Sequence, residues 1–202
     1  MRSNIKSVRD FFNGDPKGFS SNPKKLLTEA AIHNKEKGSC TLVIATIDQN
    51  SNKLKTALIG DSGYLILRPK DAAAKTYDIV YKSTEQQHAF NFPFQLGTNG
   101  DSPNSAISKE HEINKNDLVI LATDGLFDNI FEKQILEHVN KFLADNPFNS
   151  SSLAQYLSEV AFNLSIDQNI VSPFAEGARK ARMYYRGGKS DDITIVVGKV
   201  ND

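Results

Sequence analysis

The stretch Asp117-Leu-Val-Ile-Leu-Ala-Thr-Asp-Gly-Leu-Phe-Asp128 decides how the rest of the chain is read. Leu118 to Ala122 form an uninterrupted apolar run, the pattern of a strand buried on both faces. The run ends on acids, Asp124 and Asp128, set around Gly125. Working outward, the same pairing of a β-type run with acids recurs twice. Thr41-Leu-Val-Ile-Ala-Thr-Ile47 is rich in β-branched residues, Asn50-Ser-Asn52 follows as a turn, and Leu54 to Ile59 reads as the partner strand of a hairpin. That strand ends in Gly60-Asp61-Ser62-Gly63, after which Tyr64 to Leu67 continues as a further strand. Near the C-terminus, Asp191 and Asp192 stand directly before the run Ile193-Thr-Ile-Val-Val197.

Strand ends on one edge of a sheet converge in space although they are far apart in sequence. Three such acidic clusters can form an oxygen-only cage. That donor set suits a hard divalent cation, Mg²⁺ or Mn²⁺, which takes carboxylates and water and needs neither His nor Cys. Gly60 and Gly125 would let the backbone turn tightly beside the cation. Each acid alone has a plainer reading, since Asp-Gly after a strand is a common turn and Asp before a strand a common cap.

Helical spacing fills the intervals. Phe131 to Leu143 carries apolar residues at 131, 135, 136, 139, 142 and 143. Ser150 to Leu164 repeats the pattern, with Ser150 or Ser151 as its cap, and Pro173 to Met183 is a third helix. Gln87 to Asn116 is rich in Asn, Ser, Pro and Gly with poor periodicity, and is expected to be irregular. The mixture predicts an α+β domain, with antiparallel sheet and helices grouped later in the chain.

The totals narrow the function. A chain of 202 residues fits one domain, and 24 basic residues balance 24 acidic ones. A neutral chain gives no general electrostatic reason to bind nucleic acid or an anionic membrane. The single Cys40 excludes an internal disulfide and a Cys-based zinc site within one chain, and suits a reducing, intracellular setting. No apolar run approaches the roughly 20 residues of a membrane span. The opening Met1-Arg-Ser-Asn-Ile-Lys-Ser-Val-Arg-Asp-Phe-Phe12 reads first as an ordinary amphipathic helix and second as a loose match to an organelle transit peptide. The choice between mitochondrial and cytoplasmic location stays open at this point.

Four blocks in order give the acids a more specific meaning: Gly38-Ser39-Cys40-Thr41, Gly60-Asp61-Ser62-Gly63, Ala122 to Asp128, and Ser190-Asp191-Asp192-Ile193-Thr194. They resemble the ordered motifs of the PPM (type 2C) metal-dependent Ser/Thr protein phosphatases, from about Gly38 to Val200. Gly63 stands where many family members have Arg. Glu85 to His88, Asn91 to Leu96, Ser172 to Ala175 and Arg186 to Lys189 resemble a eukaryotic branch that includes mitochondrial phosphatases.

The resemblance implies an antiparallel β-sandwich flanked by helices, with metals at one end. It implies hydrolysis of phosphoserine and phosphothreonine in protein substrates by a metal-activated water. Asp124 and Asp191 match the acids of the catalytic binuclear centre. Asp61 and Asp128 match acids of a further, weaker metal site. Gly60, Gly125 and Asp192 support the site, Asp192 by holding the strand end, and Thr123 packs or hydrogen-bonds beneath Asp124. Lys189 and Arg186 are candidates to steer a phosphate. His88 is a candidate acid catalyst in a segment with no acid pair evident beside it. Phe90, Phe92 and Phe94 read as core or lid packing. Asp117, an acid before the same strand as Asp124, is read as lying outside the metal site.

One motif of the family is absent. No Asp-Gly-x-Gly-Gly precedes Gly38, and Asn13-Gly14-Asp15-Pro16 is no substitute, because its acid follows the Gly. Residues 1–37 instead read as a helical lead-in, followed by the phosphatase-like domain at 38–202 that lacks the family's first strands. Those strands supply a bridging carboxylate and part of the sandwich. Three expectations follow: a piece of an active phosphatase, a non-catalytic relative that binds or scaffolds, or a sheet completed by self-association or a second chain. Phe11, Phe12, Phe19, Leu26 and Leu27 supply some apolar area to cover the gap from within.

Overall fold

The computed structural model describes residues 22–34, 36–48, 51–70 and 76–201. The first candidate helix, Asn13 to Pro16, the three phenylalanines before residue 20 and Asn50 of the expected turn lie outside the described residues. In chain order the elements are α1 (Pro23–His33), β1 (Ser39–Cys40), β2 (Leu42–Asp48), β3 (Lys53–Ile59), β4 (Gly63–Pro69), β5 (Tyr77–Lys82), β6 (Gln87–Ala89), β7 (Phe92–Pro93) and β8 (Leu96–Gly97). A short 3₁₀ turn at Pro103–Ser105 precedes β9 (Ile107–Glu112) and β10 (Leu118–Ala122). The chain ends with α2 (Asp124–Phe127), α3 (Glu132–Asp145), α4 (Ser150–Ser165), α5 (Pro173–Lys180) and β11 (Ile195–Lys199). The fold is α+β with antiparallel sheets, as the strand and helix spacing predicts. No helix among the described residues is long and apolar enough to cross a membrane. The described residues form two compact units: those up to Ser62 with Glu85–Ile113, and Gly63–Thr84 with those from Asn114 on.

The first unit is built on a three-stranded sheet in the order β2-β3-β9. The expected hairpin is present, with Leu42 opposite Ile59 and Asp48 opposite Lys53. α1 lies against this sheet through Leu26, Leu27 and Ala30, all buried. Asn22 caps it by accepting from the Lys25 amide at 3.0 Å, and Pro23 occupies the first turn, where a missing N–H costs nothing. Leu27, Ala57, Ile59, Leu96 and Ala106 form the core of this unit.

The expectation that Gln87 to Asn116 is irregular fails here. The segment carries β6 to β9, and β9 pairs along its whole length with β3, from Leu58 opposite Ile107 to Lys53 opposite Glu112. The β9 sequence Ile-Ser-Lys-Glu-His-Glu buries little, so it has no apolar alternation of its own. Its strand conformation comes from the partner it joins.

The second unit is built on a four-stranded sheet in the order β11-β10-β4-β5. β10 is central, with Ile120 opposite Leu65 of β4 on one side and Val197 of β11 on the other. β5 alternates more and less buried positions, a strand that no strong apolar run marks in the sequence. Leu65, Leu67, Leu118, Ile120, Leu126, Ile135, Val139, Leu153 and Leu157 form one buried cluster that joins this sheet to α3 and α4.

Several boundaries differ from expectation. α4 is capped by Asn149, which accepts from the Ser152 amide at 2.9 Å, rather than by Ser150 or Ser151. α5 ends at Lys180, short of Met183, although the Met183 amide still donates to the Ala178 carbonyl. β11 begins at Ile195, because Asp192 and Thr194 are engaged with Thr123 ahead of the ladder.

Asp117 is not a solvated acid. It is completely buried, takes the Arg68 guanidinium at 3.0 Å (Nε) and 2.7 Å (Nη2), and accepts the Asn114 amide at 2.8 Å. The bidentate pair ties β4 to the entrance of β10. Only the Asp117 side of the pair is buried, so Asp117→Asn removes a buried charge-assisted acceptor and turns an amide NH₂ toward the guanidinium in its place. Asp117→Asn is therefore expected to destabilise the chain by about 2 kcal/mol or more. Urea unfolding at pH 7 checks this, and an unchanged midpoint would mean that the pair carries no stability.

Candidate metal centre

The C-terminal end of β10 runs straight into the short helix α2. Thr123 is the hinge between them. Its amide donates to the Thr194 carbonyl at 3.1 Å, its hydroxyl donates to the Asp192 carbonyl at 3.1 Å, and the same hydroxyl accepts the Thr194 amide at 3.1 Å. These bonds clamp the segment before β11 against the start of α2. Gly125 makes the approach possible. A Cβ there would lie 2.6 Å from the Asp192 carbonyl oxygen, so the role of Gly125 is close packing rather than the tight turn expected. Gly60 does adopt the turn: its φ is +98°, and a Cβ would meet the Phe94 carbonyl at 2.6 Å.

The clamp brings three acids onto one point. Lys189 Nζ donates to Asp124 at 2.6 Å, to Asp128 at 2.7 Å and to Asp191 at 3.0 Å. The lysine backbone is pinned separately by Asn129, which is buried. Asn129 accepts the Lys189 amide at 2.8 Å and donates to the Lys189 carbonyl at 2.9 Å and the Gly125 carbonyl at 3.0 Å. The Phe174 ring lies 5.1 Å from the ammonium and packs edge-on against Tyr185.

Burial alone would lower the Lys189 pKa, but the hydrogen bonds it donates to Asp124 and Asp128, with Asp191 adding to them, hold it well above its ordinary value. Burial pushes the Asp191 carboxyl up. The Lys189 ammonium, the Asp192 amide and Asp124 outweigh that and leave it below its ordinary 3.8.

The other expected site residues have their own places. Asp61 follows β3 in the first unit and is about nine-tenths buried, beside Ser62, whose hydroxyl bonds Thr41 at 2.7 Å. Asp192 contributes its carbonyl to the clamp, while its side chain is exposed. Arg186 donates to Asn169 at 3.0 Å and is exposed. His88 has the acid partner that the sequence does not reveal: its Nε2 lies 2.9 Å from Asp101, and its ring stacks on Phe94 at 3.9 Å. Asp101 also accepts the Gln95 amide, so this pair holds a loop of the first unit together. Phe94 packs as expected, whereas Phe92 is largely exposed.

Asn129 and Phe174 were missed as site residues. Asn129 follows Asp128 directly, and that adjacency is the only signal the sequence offers.

The groups around Lys189 are all carboxylate oxygens that converge on one cation, so in donor chemistry they fit Mg²⁺ or Mn²⁺. Among the described residues no three His, Cys, Asp or Glu side chains stand as a ready metal cage on their own. The cation at the focus is the ammonium.

Comparison with known proteins places the chain in a family. The family described as stage II sporulation protein E (SpoIIE) matches residues 20–201. A zebrafish (Danio rerio) protein, "Protein phosphatase PTC7 homolog", is 37% identical over 194 residues, which cover 89% of this chain and 63% of that one. The structure resembles that of the photosystem II phosphatase PBCP with a TM-score of 0.85 at 25% identity, over 99% of this chain and 78% of that one. It also shares its fold with the catalytic domain of the serine/threonine protein phosphatase PstP, solved with two manganese ions: TM-score 0.57, 18% identity, 100% of this chain and 80% of that one. The chain belongs to the SpoIIE/type 2C (PPM) phosphatase family. It spans about 63% of the length of the PTC7 homologue.

The pairing fixes a pH dependence in chelator. Because the Asp191 pKa is depressed, its stabilising contribution is present above 3.8 and lost as pH falls through the lower folded value. Because the Lys189 pKa is raised, its contribution is intact below 10.5 and lost only above the folded value. Asp191→Asn should flatten the acid limb of a stability-versus-pH profile followed by urea midpoint. An acid limb identical to that of the wild type would mean that the carboxylate gains nothing from its partners.

Proposed function

We propose that this chain carries the phosphate-hydrolysing machinery of a metal-dependent protein Ser/Thr phosphatase. The observation that carries this reading is the convergence of Asp124, Asp128 and Asp191 on one cation position. The kinship with PTC7 homologues supports it, as does the likeness to a phosphatase solved with manganese. Mg²⁺ or Mn²⁺, when bound, supplies Lewis acidity and makes water nucleophilic at neutral pH.

The chain's own residues do the rest. Asp124 and Asp191 hold the cation as the catalytic pair. Asp128 adds a third carboxylate to the same point. Asp61, within the first unit, remains a proposed ligand of a further, weaker metal site. Thr123 and Gly125 fix the separation of Asp124 from Asp191 through the clamp. Lys189 is the cationic side chain set at the carboxylates. Substrates are phosphoserine and phosphothreonine in proteins. An intracellular setting fits a chain whose single cysteine, Cys40, has no second cysteine to form a disulfide with.

A second reading, a non-catalytic binding protein on the same fold, rests on one observation. The carboxylates surround an ammonium, and among the described residues they form no ready cage of their own. Self-association or a completing chain is proposed on a separate ground. β11 is one of the two edge strands of its sheet among the described residues, and its Val196 is 57% exposed.

A phosphothreonine peptide assay separates the two functions. Under the first, phosphate release requires Mn²⁺ and stops in excess EDTA, and Asp124→Asn and Asp191→Asn each lower the rate by about a hundredfold or more. Release that continues unchanged in EDTA would eliminate the metal mechanism. Mn²⁺ binding without any phosphate release would favour the second reading.

A further inference from the structure

We propose that Lys189 is a built-in counter-cation of the carboxylate cluster, so that a divalent ion enters only by exchange with its ammonium. This rests on the metal-dependent reading above and adds the group with which the metal must compete. An ammonium has three N–H donors, and here each meets a different carboxylate, at 2.6, 2.7 and 3.0 Å. Its donor capacity is fully used. A Mg²⁺-sized ion takes its oxygens at about 2.0–2.1 Å. Two cations cannot sit among the same oxygens at such distances, because their mutual repulsion is large wherever water is scarce.

The bland alternative is a surface ion-pair network, which contributes little. Exposure argues against it: the side chains of Lys189, Asp128 and Asp124 are 15%, 20% and 23% exposed, and only Asp191, at 35%, is more open. Three carboxylates this close repel one another unless a cation stands between them. Lys189 therefore holds the metal-free cluster together and lowers the affinity of the same cluster for metal.

The construction of the site suits exchange. Asn129 fixes the Lys189 backbone on both sides of the peptide, so the residue stays in place while its side chain swings. The four-carbon stem supplies the freedom. The Phe174 ring 5.1 Å from Nζ offers the released charge a nearby aromatic face. The sequence offers Lys189 only as part of a basic, glycine-rich turn, and its position among three acids is a property of the fold.

The test uses the whole chain in two arms. In calorimetric titration with Mn²⁺, Lys189→Met should bind at least about tenfold tighter than the wild type, while its metal-free form melts at a lower temperature. In mass-spectrometric footprinting with an amine-acetylating reagent, wild-type Lys189 should be protected in EDTA and become reactive as Mn²⁺ is added. Equal or weaker Mn²⁺ affinity in Lys189→Met overturns the proposal, and so does a Lys189 that stays equally protected with Mn²⁺ bound. If the Met variant does not fold, the wild-type footprint alone decides. Wild-type protein that binds Mn²⁺ and hydrolyses phosphopeptide while Lys189 stays protected sinks this proposal and leaves the phosphatase reading standing. Wild-type protein that neither binds Mn²⁺ nor hydrolyses phosphopeptide sinks both.

Discussion

Three carboxylates held within reach of one point need a cation, and that electrostatic requirement organises the second unit. Asp124 opens α2 and Asp128 caps its end, Asp191 comes from the segment before β11, and Lys189 from the turn two residues earlier. None of these positions is set by the charges alone. The central strand β10, paired on both sides, delivers Asp124 to the sheet end. Thr123 and Gly125 then bring the Asp191 segment within hydrogen-bonding distance of it. The backbone holds the acids close, and the cation makes that closeness tolerable.

The division of labour between apolar and polar residues follows from this. The core of Leu118, Ile120, Leu126, Ile135 and Leu157 gives the sheet and helices their rigidity. The buried polar groups set direction. Asp117 locks Arg68 at the start of β10, and Asn129 locks the Lys189 turn beyond its end. Each of these buried polar groups has its hydrogen bonds made, as burial demands. The two ends of one strand are thus fixed by different chemistry, an ion pair at the entrance and an amide clamp at the exit.

Much of this was legible in the sequence. Strands with strong apolar runs, β2, β3, β4 and β10, stand where their composition predicts, and so do α3, α4 and, apart from its end, α5. Asp124 and Asp128 are marked by the β10 run they follow, and Asp191 by the run leading into β11 that it precedes. The rest escaped for physical reasons. β9 is polar and owes its conformation to β3. Asp117 and Asn129 look like surface residues until tertiary contacts bury them. The acid partner of His88 lies at Asp101, beyond an intervening loop, where no local pattern could reveal it. Lys189 was singled out as a basic residue near the site, but its place at the focus of three acids depends on the clamp that only the folded chain provides.

The central claim is that one position, bounded by Asp124, Asp128 and Asp191, serves either an ammonium or a metal ion. Anomalous diffraction at the manganese edge, from crystals grown with and without Mn²⁺, tests it most directly. The account predicts an anomalous peak among the three carboxylates, with Lys189 Nζ withdrawn from them, and no peak with Lys189 in place when Mn²⁺ is omitted. Lys189 unmoved in the presence of Mn²⁺, with no peak among the three acids, would contradict it.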